Sequence, residues 1–362
     1  MKDDGIASIT ETSTGISEIC GVLTCPNASL NAGDSQRICV FLLKTIENSP
    51  HKWQRNALFL KVVQFGAIDI GTNAARLLIG QVITVDDSSF VQKISYTRIP
   101  LRLGESVFEE GKISDKKKEE FIKTIQAFKL IADIFDVKEL RACATSAMRE
   151  ADNGYFVREE IMHRTGVPIE IISGDEEAEL IFSTFFLLNI DKSVPFIVVD
   201  VGGGSTEINV FEQGRRVASR SFKVGTLRLL RGKASIDIWS KIHNWLEHHV
   251  DLSEVHAIYA TGGNINKAHK MLGTNLLEPI SVFKLQSLLD DLKPLGVQER
   301  IQRFQLKPDR ADVIVPALEI YLYIMKELDC REVIVPKIGL SDGMIYSLHL
   351  KHQKNEPPEE SV

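Results

Sequence analysis

Two segments of this chain follow one plan: an apolar strand, an aspartate, a turn of small residues and a second strand. They are Phe65–Gly80 (FGAIDIGTNAARLLIG) and Phe196–Phe211 (FIVVDVGGGSTEINVF), and their aspartates, Asp69 and Asp200, lie 131 residues apart. Glycine turns let backbone N–H groups approach phosphate closely, and an aspartate at a strand end can hold a divalent cation. One such hairpin is weak evidence, whereas two predict paired half-sites that grip a polyphosphate-like ligand between two domains.

Composition narrows the class of protein. A chain of 362 residues with 44% hydrophobic residues has enough material for two globular domains. A net charge of −6 argues against a nucleic-acid-binding surface. The sequence contains neither an apolar run of membrane-spanning length nor a secretory signal, and its five cysteines show no metal-binding spacing. We therefore expect a cytoplasmic protein with free thiols and with neither nucleic-acid nor membrane partners.

The order of strands and helices is the same in both halves of the chain. The first half is predicted as strands 63–70, 75–84 and 89–99, helix 114–135, strand 139–144, helix 154–165, strand 169–172 and helix 175–188. The second half is predicted as strands 195–201, 205–212 and 215–223, helix 236–249, strand 255–260, a helix from 264, a helical stretch 281–328, strand 332–335 and helix 341–351. This order predicts an α/β protein of two duplicated domains, each a mixed β-sheet flanked by helices, with a cleft between them.

Domain boundaries follow from the same pattern. We expect a first domain over residues 62–188, a second over 189–340 and a C-terminal helix over 341–352. Residues 1–61 are rich in Ser, Thr, Asn and Gly and are expected to form a poorly ordered or appended extension. Residues 353–362 are expected to form a polar tail.

The two hairpins offer phosphate ligands of different kinds. In the first, Gly71 permits a tight turn, Thr72 and Asn73 offer a hydroxyl and an amide, and Arg76 is placed to point back at an anion. The alternative is an ordinary hairpin in which Asp69 caps the turn. The second hairpin has three consecutive glycines, which cost about 0.5–1 kcal/mol each relative to alanine. That cost favours a phosphate cradle, formed by Gly202, Gly203, Gly204, Ser205 and Thr206.

Three further segments carry candidate site residues. Gly262 and Gly263 lie between a strand and a helix, where backbone N–H groups form an anion site. Ser146 and Arg149 follow a strand at the end that faces the ligand crevice in α/β sheets; Arg149 is either a phosphate clamp or a salt-bridged arginine. The acidic segment 173–179 opens a helix, and its carboxylates either complement the helix dipole or serve water or metal chemistry.

Taken in order, several segments resemble the exopolyphosphatase / guanosine pentaphosphate phosphohydrolase (Ppx/GppA) family of the actin-like, sugar kinase and Hsp70 superfamily. They are AIDIGTNAARLLI, ATSAMREADNG, IISGDEEAELIF, VVDVGGGSTEI, YATGGNI, LKPDRADVIVPA and GLSDGMIY. The resemblance implies two ribonuclease-H-like domains hinged around a cleft, with the last helix returning to the first domain. It also implies hydrolysis of a phosphoanhydride bond at the end of polyphosphate, or of the 5′-γ-phosphate of guanosine pentaphosphate.

The resemblance also implies roles for individual residues. Asp69, Asp200 and Glu177 would hold Mg²⁺, and Glu177 would polarise the attacking water. The first hairpin and residues 202–206 would form the two phosphate loops. The family often has Glu where Asp175 stands, and the shorter side chain of Asp175 reaches less far, which favours Glu177. Some members carry a carboxylate where Ser146 stands, so the base is not assigned through Ser146.

Two other classes of function remain open from the sequence. One is a kinase-like or ATP-driven member of the same superfamily, and the other is a sensor that binds polyphosphate or an alarmone without turnover. A homodimer is also left open. Polyphosphate needs a basic channel, for which the sequence offers scattered candidates: Arg102, Arg215, Arg216, Arg228 and Arg231.

Overall fold

The first half of the protein forms a five-stranded mixed sheet. The computed structural model describes residues 63–355 except 86–87, 189, 192 and 252–255, so the expectations for residues 1–61 and for most of the tail lie outside the described residues. The elements are β1 (Phe65–Ile70), β2 (Ala75–Val85), β3 (Ser88–Ile99), α1 (Leu103–Glu110), α2 (Asp115–Ile134), β4 (Leu140–Ala144), α3 (Ser146–Glu150), α4 (Gly154–Thr165), β5 (Ile169–Ile171) and α5 (Gly174–Ser183). The strand order is β3-β2-β1-β4-β5, with β1, β4 and β5 parallel to one another and β2 antiparallel to both of its neighbours.

The second half repeats this order in a four-stranded sheet, β8-β7-β6-β9. Its elements are β6 (Phe196–Val201), β7 (Thr206–Glu212), β8 (Arg215–Phe222), α6 (Thr226–Leu230), α7 (Ile238–His249), β9 (Ala257–Thr261), α8 (Gly263–Leu272), β10 (Ile280–Ser281), α9 (Val282–Leu292), α10 (Val297–Phe304), α11 (Pro308–Ala311), α12 (Ile314–Glu327), β11 (Glu332–Val333) and α13 (Leu340–Asn355). A parallel bridge between Tyr259 and Ile334 extends the sheet beyond β9, where β5 extends the first sheet. The predicted α/β class with two mixed sheets is confirmed.

Most predicted elements appear within a few residues of their expected bounds. Ser114 accepts a hydrogen bond from Lys117 N and caps α2, as a serine before an amphipathic helix predicts. The predicted helical stretch 281–328 is divided into four helices, because Gly296 begins a new helix and Gln305 adopts a left-handed conformation (φ 49°). The short helices α1, α3 and α6 have too few turns to show a period in the sequence.

An apolar layer lies between the two sheets. Alternate residues of β1 and β6 enter it, with Phe65 and Ala67 from one strand and Phe196 and Val198 from the other. Helices α5 and α13 pack in the same layer, and the rings of Phe196 and Phe211 stack with centroids 4.7 Å apart. Because side chains alternate along a strand, the next residues on these faces are Asp69 and Asp200. The layer therefore ends in two carboxylates at the carboxyl ends of the central strands.

The C-terminal helix fits into this layer because it carries a glycine at its closest approach. Helix α13 packs against α5, β1 and β2. A Cβ at Gly343 would collide with the backbone carbonyl of Leu180 in α5.

In the described part of the chain, no helix combines the length and the apolar character needed to cross a bilayer. The domain boundaries expected from the sequence stay a prediction.

We expect Gly343→Ala to lower the free energy of unfolding by about 1–3 kcal/mol, because the added methyl group must displace backbone rather than a flexible side chain. Gly339→Ala, just before α13, is the matched control, since a Cβ there meets no atom within 4 Å. Urea unfolding of both variants measures the difference. Equal stability of the two variants would contradict this account of the packing.

Candidate active site

The carboxyl ends of β1 and β6 face one cleft with a volume of about 510 Å³. Both hairpins line it, together with the first turn of α5 and the start of α8. The predicted site residues that line this cleft are Asp69, Gly71, Thr72, Asn73, Arg76, Ser146, Glu177, Asp200, Gly202, Gly203, Gly204, Ser205, Gly262 and Gly263. Segments far apart in the sequence thus meet at one site.

Two predicted site residues lie outside the lining of this cleft. Thr206 is fully buried, and its hydroxyl donates to the carbonyl of Val224 at 2.6 Å. Arg149 donates from Nη1 to the carbonyl of Ile172 at 2.6 Å and lies 3.7 Å from Glu177 Oε2. Thr206 therefore braces the second hairpin, and Arg149 faces a carboxylate of the cleft.

The two hairpins differ at the residue opposite the aspartate. In the first hairpin Asp69 pairs in register with Arg76, whose Nη1 lies 2.5 Å from Asp69 Oδ2. In the second, Asp200 pairs in register with Glu207. Directly opposed residues of an antiparallel pair project to the same face. One backbone plan therefore places a cation beside the first aspartate and a second acid beside the other.

Helix α5 adds a third acid to the second hairpin. Carboxylate oxygens of Glu177, Asp200 and Glu207, the acidic trio, all lie within 4.8 Å of one another. Burial raises the pKa of Asp200 to about 6, and burial together with the charge of Asp200 raises the pKa of Glu207 to about 7. The pKa of Glu177 lies well above its usual range, because of burial and then the charges of Glu207 and Asp200. The trio is therefore a strongly disfavoured grouping of negative charge.

The donor set of the acidic trio fits a divalent cation. Glu177 Oε2 is buried and finds no hydrogen-bond partner among the described residues. A buried carboxylate oxygen that accepts no hydrogen bond and has only Arg149 Nη1 at 3.7 Å is costly, and a hard cation that prefers oxygen ligands would satisfy it. Asp69 contacts Arg76 and is outside the trio, so its predicted role as a metal ligand stays a prediction.

Only one carboxylate of the acidic segment points into the cleft. Ser173 caps α5 by accepting a hydrogen bond from Glu176 N at 3.1 Å. Asp175, Glu176 and Glu179 are exposed, whereas Glu177 lines the cleft. The sequence left dipole complementarity and a site role as alternatives for this segment. In the structure Asp175 and Glu176, exposed in the first turn, match the first interpretation, and Glu177 matches the second.

The cleft has a basic side that the sequence reasoning missed. Its cationic lining beyond Arg76 comes from Lys93, Arg98, Arg310 and Lys337. Arg310 donates to the carbonyl of Gly263, and burial with the charges of Arg98 and Arg76 lowers its pKa to about 10. Such convergence of guanidinium groups favours an anionic ligand. In the sequence, Arg310 stands in the segment LKPDRADVIVPA, whereas Lys93, Arg98 and Lys337 lie outside the motifs.

The arginines suggested for a basic channel lie elsewhere. None of the five lines the cleft as the described residues define it. Arg102 pairs with Asp312, Arg231 pairs with Glu105 and Glu109, and Arg228 is buried beside Glu150. Spacing along the chain could not reveal this, since each partner is distant in the sequence.

The glycines of the second hairpin allow the two loops to touch. A Cβ at Gly203 would lie 2.9 Å from Thr72 Cβ, and one at Gly204 would collide with Ser146 Oγ. Gly202 N donates to Ser205 O at 3.0 Å and closes the turn. The absence of side chains at Gly203 and Gly204 therefore permits the close approach of Thr72 and Ser146.

Comparison with known proteins gives a consistent picture. Exopolyphosphatase 1 of Mycobacterium tuberculosis is 24% identical over 306 residues, which cover 78% of this chain and 87% of that protein. The guanosine-5'-triphosphate,3'-diphosphate pyrophosphatase of Vibrio parahaemolyticus is 25% identical over 305 residues, which cover 81% of this chain and 60% of that enzyme.

Solved structures show the same fold. An exopolyphosphatase from Cytophaga hutchinsonii superposes with a TM-score of 0.67 at 22% identity, over 79% of this chain and 97% of that one. The Aquifex aeolicus member of the Ppx/GppA protein family gives a TM-score of 0.64 at 25% identity, over 82% of this chain and all of that one. The sequence profile of the Ppx/GppA phosphatase family matches residues 82–352. On this evidence the chain belongs to the Ppx/GppA phosphatase family.

Proposed function

We propose that this chain hydrolyses phosphoanhydride bonds and releases terminal orthophosphate from inorganic polyphosphate, from the 5′ end of guanosine pentaphosphate, or from both. The observation that carries the proposal is the acidic trio, two of whose members, Glu177 and Asp200, line one cleft together with the two glycine hairpins. The names of the relatives, an exopolyphosphatase and a guanosine pyrophosphatase, support the same class of reaction.

The proposed cofactor is Mg²⁺, held by Glu177, Asp200 and Glu207. When bound, the ion supplies positive charge that neutralises the oxygens of the terminal phosphate. The ion also offsets the mutual repulsion of the three buried acids. Carboxylate oxygens are the protein ligands that Mg²⁺ prefers.

The chain itself positions the phosphate. Phosphoryl transfer demands little covalent chemistry from a protein, so binding and charge stabilisation dominate. In the proposal, backbone N–H groups of residues 202–204 and the polar groups of Thr72 and Asn73 contact the phosphate oxygens. Arg76, held by Asp69, approaches from the first hairpin, and the basic side of the cleft binds the rest of the anion.

Glu177 is the proposed acceptor of a proton from the attacking water. Glu177 lines the cleft, and a carboxylate within reach of a water molecule can take up its proton. Arg149 Nη1 lies 3.7 Å from Glu177 Oε2 and restrains it. The water oxygen bonds to the terminal phosphorus in line with the bridging P–O bond, which breaks and releases orthophosphate.

We expect Glu177→Gln to lower kcat by about 100-fold or more while the substrate still binds, since an amide cannot take up a proton and is a weaker cation ligand. Glu179→Gln is the matched control, because Glu179 lies on the same helix but is exposed. Orthophosphate release from polyphosphate measures both variants. Near-normal turnover by Glu177→Gln would exclude this role.

The acidic trio should make the free energy of unfolding fall as pH rises, which is the opposite of the effect of a carboxylate whose pKa is lowered by folding. Asp200 and Glu207 bind protons more tightly in the folded chain, with pKa values of about 6 and 7, than in the unfolded chain. Without metal, the free energy of unfolding should therefore fall as pH rises from 5 to 8, by on the order of 1–3 kcal/mol. Urea unfolding in a chelator at several pH values tests this.

The control for the pH experiment is Glu207→Gln, which should flatten the dependence because one of the titrating groups is gone. Added Mg²⁺ should stabilise the wild-type chain more at pH 8 than at pH 5, since the cation competes with protons for the same oxygens. A free energy of unfolding that rises with pH in the chelator and is unaffected by Glu207→Gln would contradict the raised pKa values of the trio.

The substrate is identified by orthophosphate release from long-chain polyphosphate, short-chain polyphosphate, guanosine pentaphosphate and ATP, each with and without Mg²⁺. We expect metal-dependent release from polyphosphate, guanosine pentaphosphate or both, and little from ATP. Release from ATP alone would favour the kinase-like alternative. Binding without release from any of the four would favour the sensor.

A further inference from the structure

Ser146, Glu150 and Arg228 form a hydrogen-bond network next to the second hairpin. Ser146 Oγ donates to Glu150 Oε1 at 2.9 Å, and Arg228 Nη2 donates to the same oxygen at 2.6 Å. Arg228 Nε donates to the carbonyl of Gly204 at 2.7 Å, and its guanidinium lies 4.1 Å from the ring centroid of Phe108. This network joins α3 of the first half to α6 and the glycine turn of the second half.

Arg228 gives this hydrogen-bond network a fixed geometry. Its side chain is 8% exposed, and it makes its two hydrogen bonds from Nε and Nη2 of one planar group. A planar guanidinium that bridges two acceptors holds both in one arrangement. The orientation of the Gly204 peptide group and that of the Glu150 carboxylate are therefore linked.

The fixed carboxylate determines what Ser146 can offer to the cleft. A carboxylate paired with a guanidinium only accepts hydrogen bonds, so the single hydroxyl proton of Ser146 points to Glu150. Two lone pairs of Ser146 Oγ remain. Ser146 is 2% exposed and lines the floor of the cleft beside Gly204, where little bulk water competes.

An oxygen with lone pairs and no free proton suits water better than phosphate. Phosphate oxygens of an ionised anhydride accept hydrogen bonds, and Ser146 has no proton left to donate to them. A water molecule donates two hydrogen bonds. Glu177, on the same cleft, is the proposed acceptor for one of them.

We propose that Ser146 Oγ accepts the second hydrogen bond of the attacking water and that Glu150 and Arg228 are positioning residues that act through Ser146. The inference rests on the proposed hydrolytic function and changes the role expected for Ser146 from binding phosphate to orienting water. It involves no bond change beyond the hydrolysis itself. Misorientation of a reacting group by about 1 Å can cost about 100-fold in rate.

The test uses Ser146→Ala, Glu150→Gln, their double variant and Arg228→Lys. Ser146→Ala should lower kcat about 10- to 100-fold with KM within about twofold, because only the water loses a partner. Glu150→Gln should also lower kcat, since its amide can donate to Ser146 and release the hydroxyl proton towards the cleft. The double variant should be no worse than Ser146→Ala alone, because Glu150 acts through Ser146.

Two exposed or peripheral sites give matched controls. Glu119→Gln breaks the surface ion pair with Arg164, and Ser347→Ala removes a hydroxyl that contacts only the carbonyl of Met344 and the side chain of Arg141. Both should keep kcat and KM within about twofold of the wild type, as expected for surface changes. Arg228→Lys keeps the charge but cannot bridge both acceptors, so it should lower kcat even if Glu150→Gln fails to fold.

Three results would overturn the inference. A raised KM with unchanged kcat in Ser146→Ala would make Ser146 a phosphate donor. Losses that multiply in the double variant would mean that Glu150 acts independently of Ser146. Wild-type kcat in both Ser146→Ala and Arg228→Lys would show that the network has no role in catalysis. A wild-type protein that releases no orthophosphate from any substrate would instead refute the proposed function, so the two failures are distinguishable.

Discussion

Three carboxylates buried against one another are the constraint on which the rest of this site depends. Glu177, Asp200 and Glu207 come from a helix and two strands, and each carries a raised pKa because burial and its neighbours disfavour its charge. Gathering them costs stability, since burying charge without full compensation is expensive. A bound cation of the kind proposed above would offset this cost.

The duplicated hairpins have diverged at one pair of positions. Arg76 opposes Asp69 in the first hairpin, and Glu207 opposes Asp200 in the second. The first hairpin thus balances its own charge, and the second concentrates negative charge. A single backbone plan therefore places an arginine in one half-site, which suits the proposed anion, and a second acid in the other, which suits the proposed cation.

Both half-sites face each other because of strand alternation. Phe65 and Ala67 precede Asp69 on one face of β1, as Phe196 and Val198 precede Asp200 on one face of β6. The apolar residues bury themselves in the layer shared with α5 and α13, and the aspartates end that layer at the cleft. Hydrophobic packing of the layer is thus what brings the two aspartates together.

The sequence by itself determined the order of the strands and helices, the two hairpins and Asp200 as a cleft residue, because these depend on local periodicity and turn chemistry. Glu177 was separated from Asp175 by the resemblance, and the structure places only Glu177 in the cleft. Glu207, Arg98 and Arg310 were not found, although Glu207 stands in the quoted motif, because their roles depend on register and on neighbours far away in the chain. Only the tertiary structure decided that Asp69 is paired with Arg76, that Thr206 is structural and that Ser146 donates to Glu150. Charge and hydrogen-bond partners act across space, and a linear pattern carries no distances between segments that folding brings together.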